Sequence, residues 1–280
     1  MSRLPNFIYI GPDKAGSSWL HEILIRHPEV YLTPAKDLYY FDRYYDRGTE
    51  WYAEQFKDAS EGHRIVGEVC QDYLFDKQAP GRIAETIPEA PRMMVSLRDP
   101  VERAWSSWLY ARKHGIMSPD FGESLRNEPS LLEHGRYASG LDRFTEHFPQ
   151  ELFHVAVFDD LAADPQAFLD GVTDFLGIAR QPLSEEDREA KLPAASARSV
   201  RLANVARRGA DWVREHDGAR VVGLVKRSPL VHRVLYRPID KSVVRPDDAS
   251  VAYIREQLDD EVTRLERDYG ASVRERWGWS

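Results

Sequence analysis

Residues 7–19, Phe-Ile-Tyr-Ile-Gly-Pro-Asp-Lys-Ala-Gly-Ser-Ser-Trp, constrain this chain more than any other stretch. An apolar run that ends in glycine reads as a buried strand, and the next residues read as a turn entering a helix. Gly11 and Gly16 let the backbone turn tightly and leave N–H groups pointing inward. Lys14 adds a mobile cation, and Ser17 and Ser18 add hydroxyl donors at the helix start. This is chemistry for an anion. Its spacing departs from the triphosphate loop GxxxxGK[ST], because the lysine precedes Gly16 and nothing basic comes directly after it.

A chain of 280 residues, 42% hydrophobic and 11% aromatic, can bury one full core without covalent staples. Its lone cysteine, Cys70, excludes an internal disulfide framework and fits a reducing, cytoplasmic setting. Residues 1–7 show no charged n-region leading into an apolar stretch, and no run of about 18 apolar residues occurs, so a soluble protein is expected. The net charge of −8 argues against nucleic acid as a partner. The distribution is uneven: residues 191–245 carry thirteen lysines and arginines against four acids. That segment reads either as a solvated helix pair or as a cover over anionic ligands.

Apolar residues at 19, 20, 23 and 24 give a helix over 17–26 that stops at Pro28. Strands are predicted at 30–32, 64–69, 92–98 and 152–158, and helices at 49–56, 79–86, 101–114, 137–147 and 165–176. Pro100 and the pair Asp164, Pro165 mark helix starts. The alternation predicts an α/β fold with a central parallel sheet covered on both faces and ligands at the carboxyl ends of its strands. Beyond Gly177 no strand is expected, while 201–216 and 251–269 read as helices.

At these residues the chain resembles the sulfotransferases that use 3′-phosphoadenosine 5′-phosphosulfate (PAPS). Residues 14–24, Lys-Ala-Gly-Ser-Ser-Trp-Leu-His-Glu-Ile-Leu, are similar to that family's KxGTTW loop and helix, in which the lysine precedes the glycine. The resemblance implies that Lys14, Ala15, Gly16, Ser17 and Ser18 hold the 5′-phosphosulfate, that Trp19 stacks on the adenine, and that no metal is needed. Residues 97–106 resemble the 3′-phosphate signature, an arginine at a strand end and a helical serine eight positions later, which fits Arg98 and Ser106. Gly135 to Leu141 resembles GxYxxxL, residues 174–177 match DFLG, and residues 258–277 resemble the closing helix of bacterial members. The implied fold is a P-loop-like, three-layer single domain over 1–280. Its parts are a nucleotide-binding core over 1–180, a basic cover over 181–246 and a C-terminal helical extension over 247–280.

For the acceptor's general base, residues 36–41, Lys-Asp-Leu-Tyr-Tyr-Phe, are similar to the KExxFF segment of glycan-acting members, with Asp37 in the glutamate's place. Glu68 is the reserve, since residues 67–74 resemble GEKSPxYL with Val69 where the family has lysine. Cys70 reads as a small hydrophobe at a strand end. Residues 207–212 and Arg198 are equally placed to supply a basic nucleotide contact by resemblance. The apolar and basic run over 221–237 reads as a lid or as a subunit contact in a homodimer, and Pro229 breaks it as a membrane-surface helix, so membrane contact is not expected.

The resemblance thus implies a cytoplasmic, metal-independent enzyme. It would move a sulfuryl group in line from PAPS to a hydroxyl, with an amine as second choice, of a small-molecule, sugar or lipid-linked acceptor, as in natural-product or glycan modification. Val69 in place of lysine, Asp37 in place of glutamate and the aromatic residues Tyr39, Tyr40, Phe41, Tyr44, Tyr45 and Trp51 point to a partly apolar, aromatic or lipid-linked acceptor rather than a polyanionic glycan. Two other readings of the same turn are a nucleotide kinase, which predicts magnesium dependence, and a binding module without chemistry.

Overall fold

The computed structural model describes residues 3–189, the strand pair 196–197 and 236–237, and residues 245–279. The expected helix over 201–216 and the basic contacts Arg198, Arg207 and Arg208 lie outside the described residues.

Five strands form one sheet: β1 (Phe7–Gly11), β2 (Val30–Leu32), β3 (Ile65–Val69), β4 (Arg92–Leu97) and β5 (Phe153–Val157). Their order is β2, β3, β1, β4, β5, and every pairing is parallel. β1 is buried at all five residues because it lies at the centre and is covered on both faces. Its side chains alternate: Ile8 and Ile10 enter one hydrophobic core, and Phe7 and Tyr9 enter a second on the opposite face. The chain moves from β1 to β2 and β3 on one side, then crosses to β4 on the other. The order therefore reverses between β1 and β4, and a crevice opens beyond their carboxyl ends.

Helices close both faces. α1 (Ser17–Leu24) packs Trp19, Leu20, Ile23 and Leu24 into the second core. The short α2 (Gly48–Glu54) lies between β2 and β3, and α3 (Ala79–Thr86) lies between β3 and β4. α4 (Pro100–Lys113) starts at Pro100 with the Asp99 carboxylate accepting the Val101 N–H at 3.0 Å. α5 (Phe121–Asn127), α6 (Ser130–Glu133) and α7 (Tyr137–Thr145) come next, then α8 (Phe158–Ala163) and α9 (Pro165–Leu176) after β5. α9 is capped by Asp164 and ends at Gly177 with φ +69°, as its sequence predicts.

α10 (Glu185–Glu189) precedes β6 (Ser196–Ala197) and β7 (Tyr236–Arg237), which pair antiparallel. This corrects the expectation of no strand beyond Gly177; two-residue strands carry no periodicity to read. α11 (Asp248–Tyr269) starts on the Asp247 cap and sends Ile254, Leu258, Val262 and Leu265 into the first core. α12 (Arg274–Trp277) closes the described chain.

One close approach fixes the central strand pair. Gly67 of β3 faces Phe7 of β1, and a Cβ there would lie 2.4 Å from the Phe7 carbonyl oxygen. Neither backbone can retreat without breaking the ladder. Gly67→Ala is expected to destabilise the protein by about 2–3 kcal/mol, the upper end of overpacking costs. Urea unfolding checks this, with the midpoint falling and the slope unchanged.

Candidate active site

The turn after β1 combines unusual backbone with buried charge. Gly11 has φ +138°, Lys14 has φ +60° and Gly16 has φ +88°. A Cβ at Gly16 would meet Leu161 at 2.6 Å, so the turn accepts only glycine there. Gly16 caps α1 without any side-chain bond, which leaves the first-turn N–H groups available. Ala15 and Ser17 are buried, and Ser18 is exposed at the helix mouth. Trp19, which the resemblance sets against the adenine, lies in the core instead, edge-on to Phe168 at 6.1 Å, with its indole N–H donating to the Asp187 carbonyl at 3.0 Å.

The second motif meets this turn directly. Arg98 leaves the end of β4 and donates from Nη1 to the Lys14 carbonyl oxygen at 2.8 Å. Its guanidinium lies over the Phe158 ring at 4.8 Å, and its own carbonyl accepts from the Tyr137 hydroxyl at 2.9 Å. Ser106 stands half-buried two turns into α4. The β1 turn and the β4 end, 84 residues apart, thus share one crevice.

Beneath the turn lies a network that sequence reasoning missed. Asp13 accepts from Arg103 Nη1 at 3.0 Å and from Ser107 Oγ at 2.9 Å, with His134 Nδ1 at 3.7 Å. Arg103 is fully buried and also donates to the Leu131 carbonyl. Burial alone would raise the Asp13 carboxyl, but Arg103 and His134 hold it far below the usual carboxylate range. The signal available was the spacing of residues 103, 107 and 110 on one face of α4, which points at nothing until the turn is placed beside it.

The Lys14 ammonium sits over the Tyr110 ring, 3.7 Å from its centroid. Burial lowers its pKa; Asp13 and Asp37 oppose the shift, while Lys36 adds to it. Lys14, Lys36 and Asp37 are therefore electrostatic neighbours. Asp37 lies beyond β2 at φ +62°, donates its N–H to the Val69 carbonyl at 2.8 Å and binds Lys36 Nζ through both oxygens at 2.9 Å. The Gln71 N–H also reaches Asp37 Oδ1 at 3.3 Å.

Glu68 is placed differently. It is fully buried, with Oε1 accepting from the Tyr52 hydroxyl at 2.6 Å and from Tyr73 at 3.2 Å. Burial pushes its pKa up to about 8, against the lowering effect of the two hydroxyls. The Tyr73 oxygen in turn accepts the Tyr40 N–H at 3.0 Å. Tyr40 and Phe41, expected in an acceptor wall, are core residues: Tyr40 stacks on Tyr52 at 4.3 Å and Phe41 stands edge-on to it at 5.0 Å. Cys70 is buried with its thiol pushed up by burial, which leaves it a packing residue. Among the described residues no helix is long and apolar enough to cross a membrane, and no group of His, Cys, Asp or Glu is placed to hold a metal ion.

Comparison with known proteins gives the chain its relatives. Residues 5–182 match the model of the Sulfotransferase family. The chain is 32% identical over 155 residues to a membrane-associated sulfotransferase of Dictyostelium discoideum, covering 52% of this chain and 32% of that protein. It is 33% identical over 188 residues to the human heparan sulfate glucosamine 3-O-sulfotransferase 3B1, covering 64% and 47% respectively. The chain thus spans less than half the length of these relatives. In structure it resembles a sulfotransferase from Alicyclobacillus acidocaldarius, with TM-score 0.60 and 24% identity over 82% of this chain and 99% of the other. A mouse sulfotransferase complexed with PAP superposes with TM-score 0.54 and 14% identity, over 97% of this chain and 90% of the other. The two solved structures share the fold of this chain.

The buried carboxyl of Glu68 leaves a measurable trace. Its pKa rises from 4.5 unfolded to about 8 folded, so the native state binds the extra proton. That contribution is complete below about pH 4.5 and is lost as pH rises through about 8. Glu68→Gln is expected to flatten the decline in stability between pH 5 and 8, measured by denaturant titration at each pH. A variant with the wild-type slope would remove Glu68 as its source.

Proposed function

This chain belongs to the sulfotransferase family, and we propose that it moves a sulfuryl group from PAPS to an acceptor hydroxyl by direct in-line transfer. The observation that carries this reading is the bond from Arg98 to the Lys14 carbonyl, which brings two anion-binding motifs into the crevice where the strand order reverses. The uncapped first turn of α1, with Ser17 and Ser18, suits the 5′-phosphate of the donor. The remaining donors of Arg98, with Ser106, suit its 3′-phosphate. Lys14 supplies the cation beside the bridging oxygen, and Ala15 and Gly16 shape the cradle. Trp19 anchors α1 in the core.

In the transfer, the acceptor oxygen attacks sulfur as the bond from sulfur to the bridging oxygen breaks. The bond's electron pair leaves with that oxygen on adenosine 3′,5′-bisphosphate (PAP), where Lys14 stabilises the growing charge. The hydroxyl proton passes to Asp37, whose carboxylate neighbours Lys14 in the electrostatics of the site. The burial of Glu68 beneath the site, with its oxygens held by two tyrosines, favours Asp37 over it in this role. The acceptor class is a small molecule, sugar or lipid-linked alcohol, and the setting is cytoplasmic, a placement supported by the single cysteine.

Calorimetric titration with PAP tests the reading, and absence of binding at millimolar ligand would sink it. Arg98→Ala is expected to weaken PAP about 10- to 100-fold, the worth of a charged hydrogen bond. Lys14→Ala is expected to cut PAP release from PAPS by about 10²- to 10³-fold while PAP binding weakens less. Normal turnover in that variant would take the catalytic role away from Lys14.

A further inference from the structure

The face of α4 that meets the β1 turn carries a sequence of functions along its length. Arg103 and Ser107 hold Asp13, Ser106 lies at the nucleotide end, and Tyr110 lies under the Lys14 ammonium. Residues 103, 106, 110 and 113 have helical spacing and share this face. At 1.5 Å per residue, Lys113 stands about 10 Å beyond Ser106 and about 4.5 Å beyond Tyr110. On the sulfuryl-transfer reading this places it past the point of transfer, on the side away from the nucleotide.

The charges near this point are otherwise committed. Lys36 is bound by both oxygens of Asp37, and Asp13 is bound by Arg103. Lys113 is half-buried, and no carboxylate pairs with it among the described residues. Burial first, and then the Lys14 ammonium, pull its pKa down to about 8. A cation at a helix C-terminus is ordinary electrostatics. A cation drawn out of water beside a second cation is not, and an anion supplied by a ligand would relieve both costs.

We propose that Lys113 is a specificity residue of the acceptor subsite, selecting acceptors that carry a carboxylate or sulfate group within about one helical turn of the reacting hydroxyl. The inference rests on the sulfuryl-transfer reading and adds the acceptor's charge to it. The exposed ring of Tyr110, 48% accessible, gives such an acceptor an apolar surface between the reacting centre and Lys113.

The test uses a matched pair of probes, 4-hydroxyphenylacetate and its neutral amide, with PAPS and the whole chain. The wild type is expected to release PAP at least tenfold more efficiently, in kcat/KM, with the acid than with the amide. Lys113→Gln is expected to bring that ratio close to one, mainly through KM for the acid, and Lys113→Arg to restore most of it. PAP affinity by calorimetry is expected to stay at the wild-type value in both variants. Overturning results are a wild type without preference for the acid, a preference that survives Lys113→Gln, or a loss of PAP affinity, which would assign Lys113 to the donor. Failure of the wild type to bind PAP would instead overturn the sulfuryl-transfer reading itself.

Discussion

The geometry of the crevice depends on how Lys14 is held. Its backbone sits at φ +60°, a region that costs a non-glycine residue about 1–2 kcal/mol, so the surroundings must impose it. Three contacts do so from different elements. Arg98 from β4 binds its carbonyl, Asp13 next to it is clamped by Arg103 and Ser107 from α4, and Tyr110 takes its ammonium. The buried pair of Asp13 and Arg103 is a poor device for stability alone, because desolvation offsets most of its Coulomb gain. As a device for register it is effective: removing either partner strands the other charge, so only one placement of the turn against α4 is tolerated.

The second half of the crevice repeats this logic with different chemistry. The segment after β2 carries two further non-glycine residues at positive φ, Asp37 at +62° and Tyr39 at +56°. It is tied to the sheet by the Asp37 N–H on Val69 and the Gln71 N–H on the Asp37 carboxylate. Below it, the Tyr40 N–H rests on the Tyr73 hydroxyl, which rests on Glu68. The chain therefore uses a fully buried acid to support the backbone that presents a partly buried one. Two carboxylates that look interchangeable in the sequence thus differ sharply in burial and in hydrogen-bond partners.

That separation marks the boundary of what the sequence makes legible. Apolar runs, caps and prolines specify the five strands of the sheet and the longer helices, because these signals are local: Asp164 and Pro165 start α9 and Gly177 ends it. The short helices α5, α6 and α8 complete too few turns to show a period. At the site, Lys14, Gly16 and Arg98 are readable as residue types in motifs. Asp13 and Arg103, however, read as ordinary surface charges, because their pairing spans 90 residues and exists only after β1 and β4 lie side by side. The aromatic run from Tyr39 misleads for the complementary reason. Composition says that the rings are there, and only packing says that Tyr40 and Phe41 face inward.

α4 joins the core to the chemistry. Its inner face, Val101, Ala104 and Trp108, belongs to the first hydrophobic core, and Trp105 stacks on Trp108 at 4.6 Å. Its other face carries Arg103, Ser106, Ser107, Tyr110 and Lys113 in helical order, and Arg103, Ser107 and Tyr110 meet the β1 turn at Asp13 and Lys14. A rotation of the helix that exposed Trp108 would move every one of these groups off the turn at once. The hydrophobic cost of that rotation, roughly 1.5–3 kcal/mol for each large apolar side chain exposed, is thus what holds the polar geometry in place. Because one rigid element carries all of these groups, a change at its buried face should be felt along the whole length of the crevice rather than at a single residue.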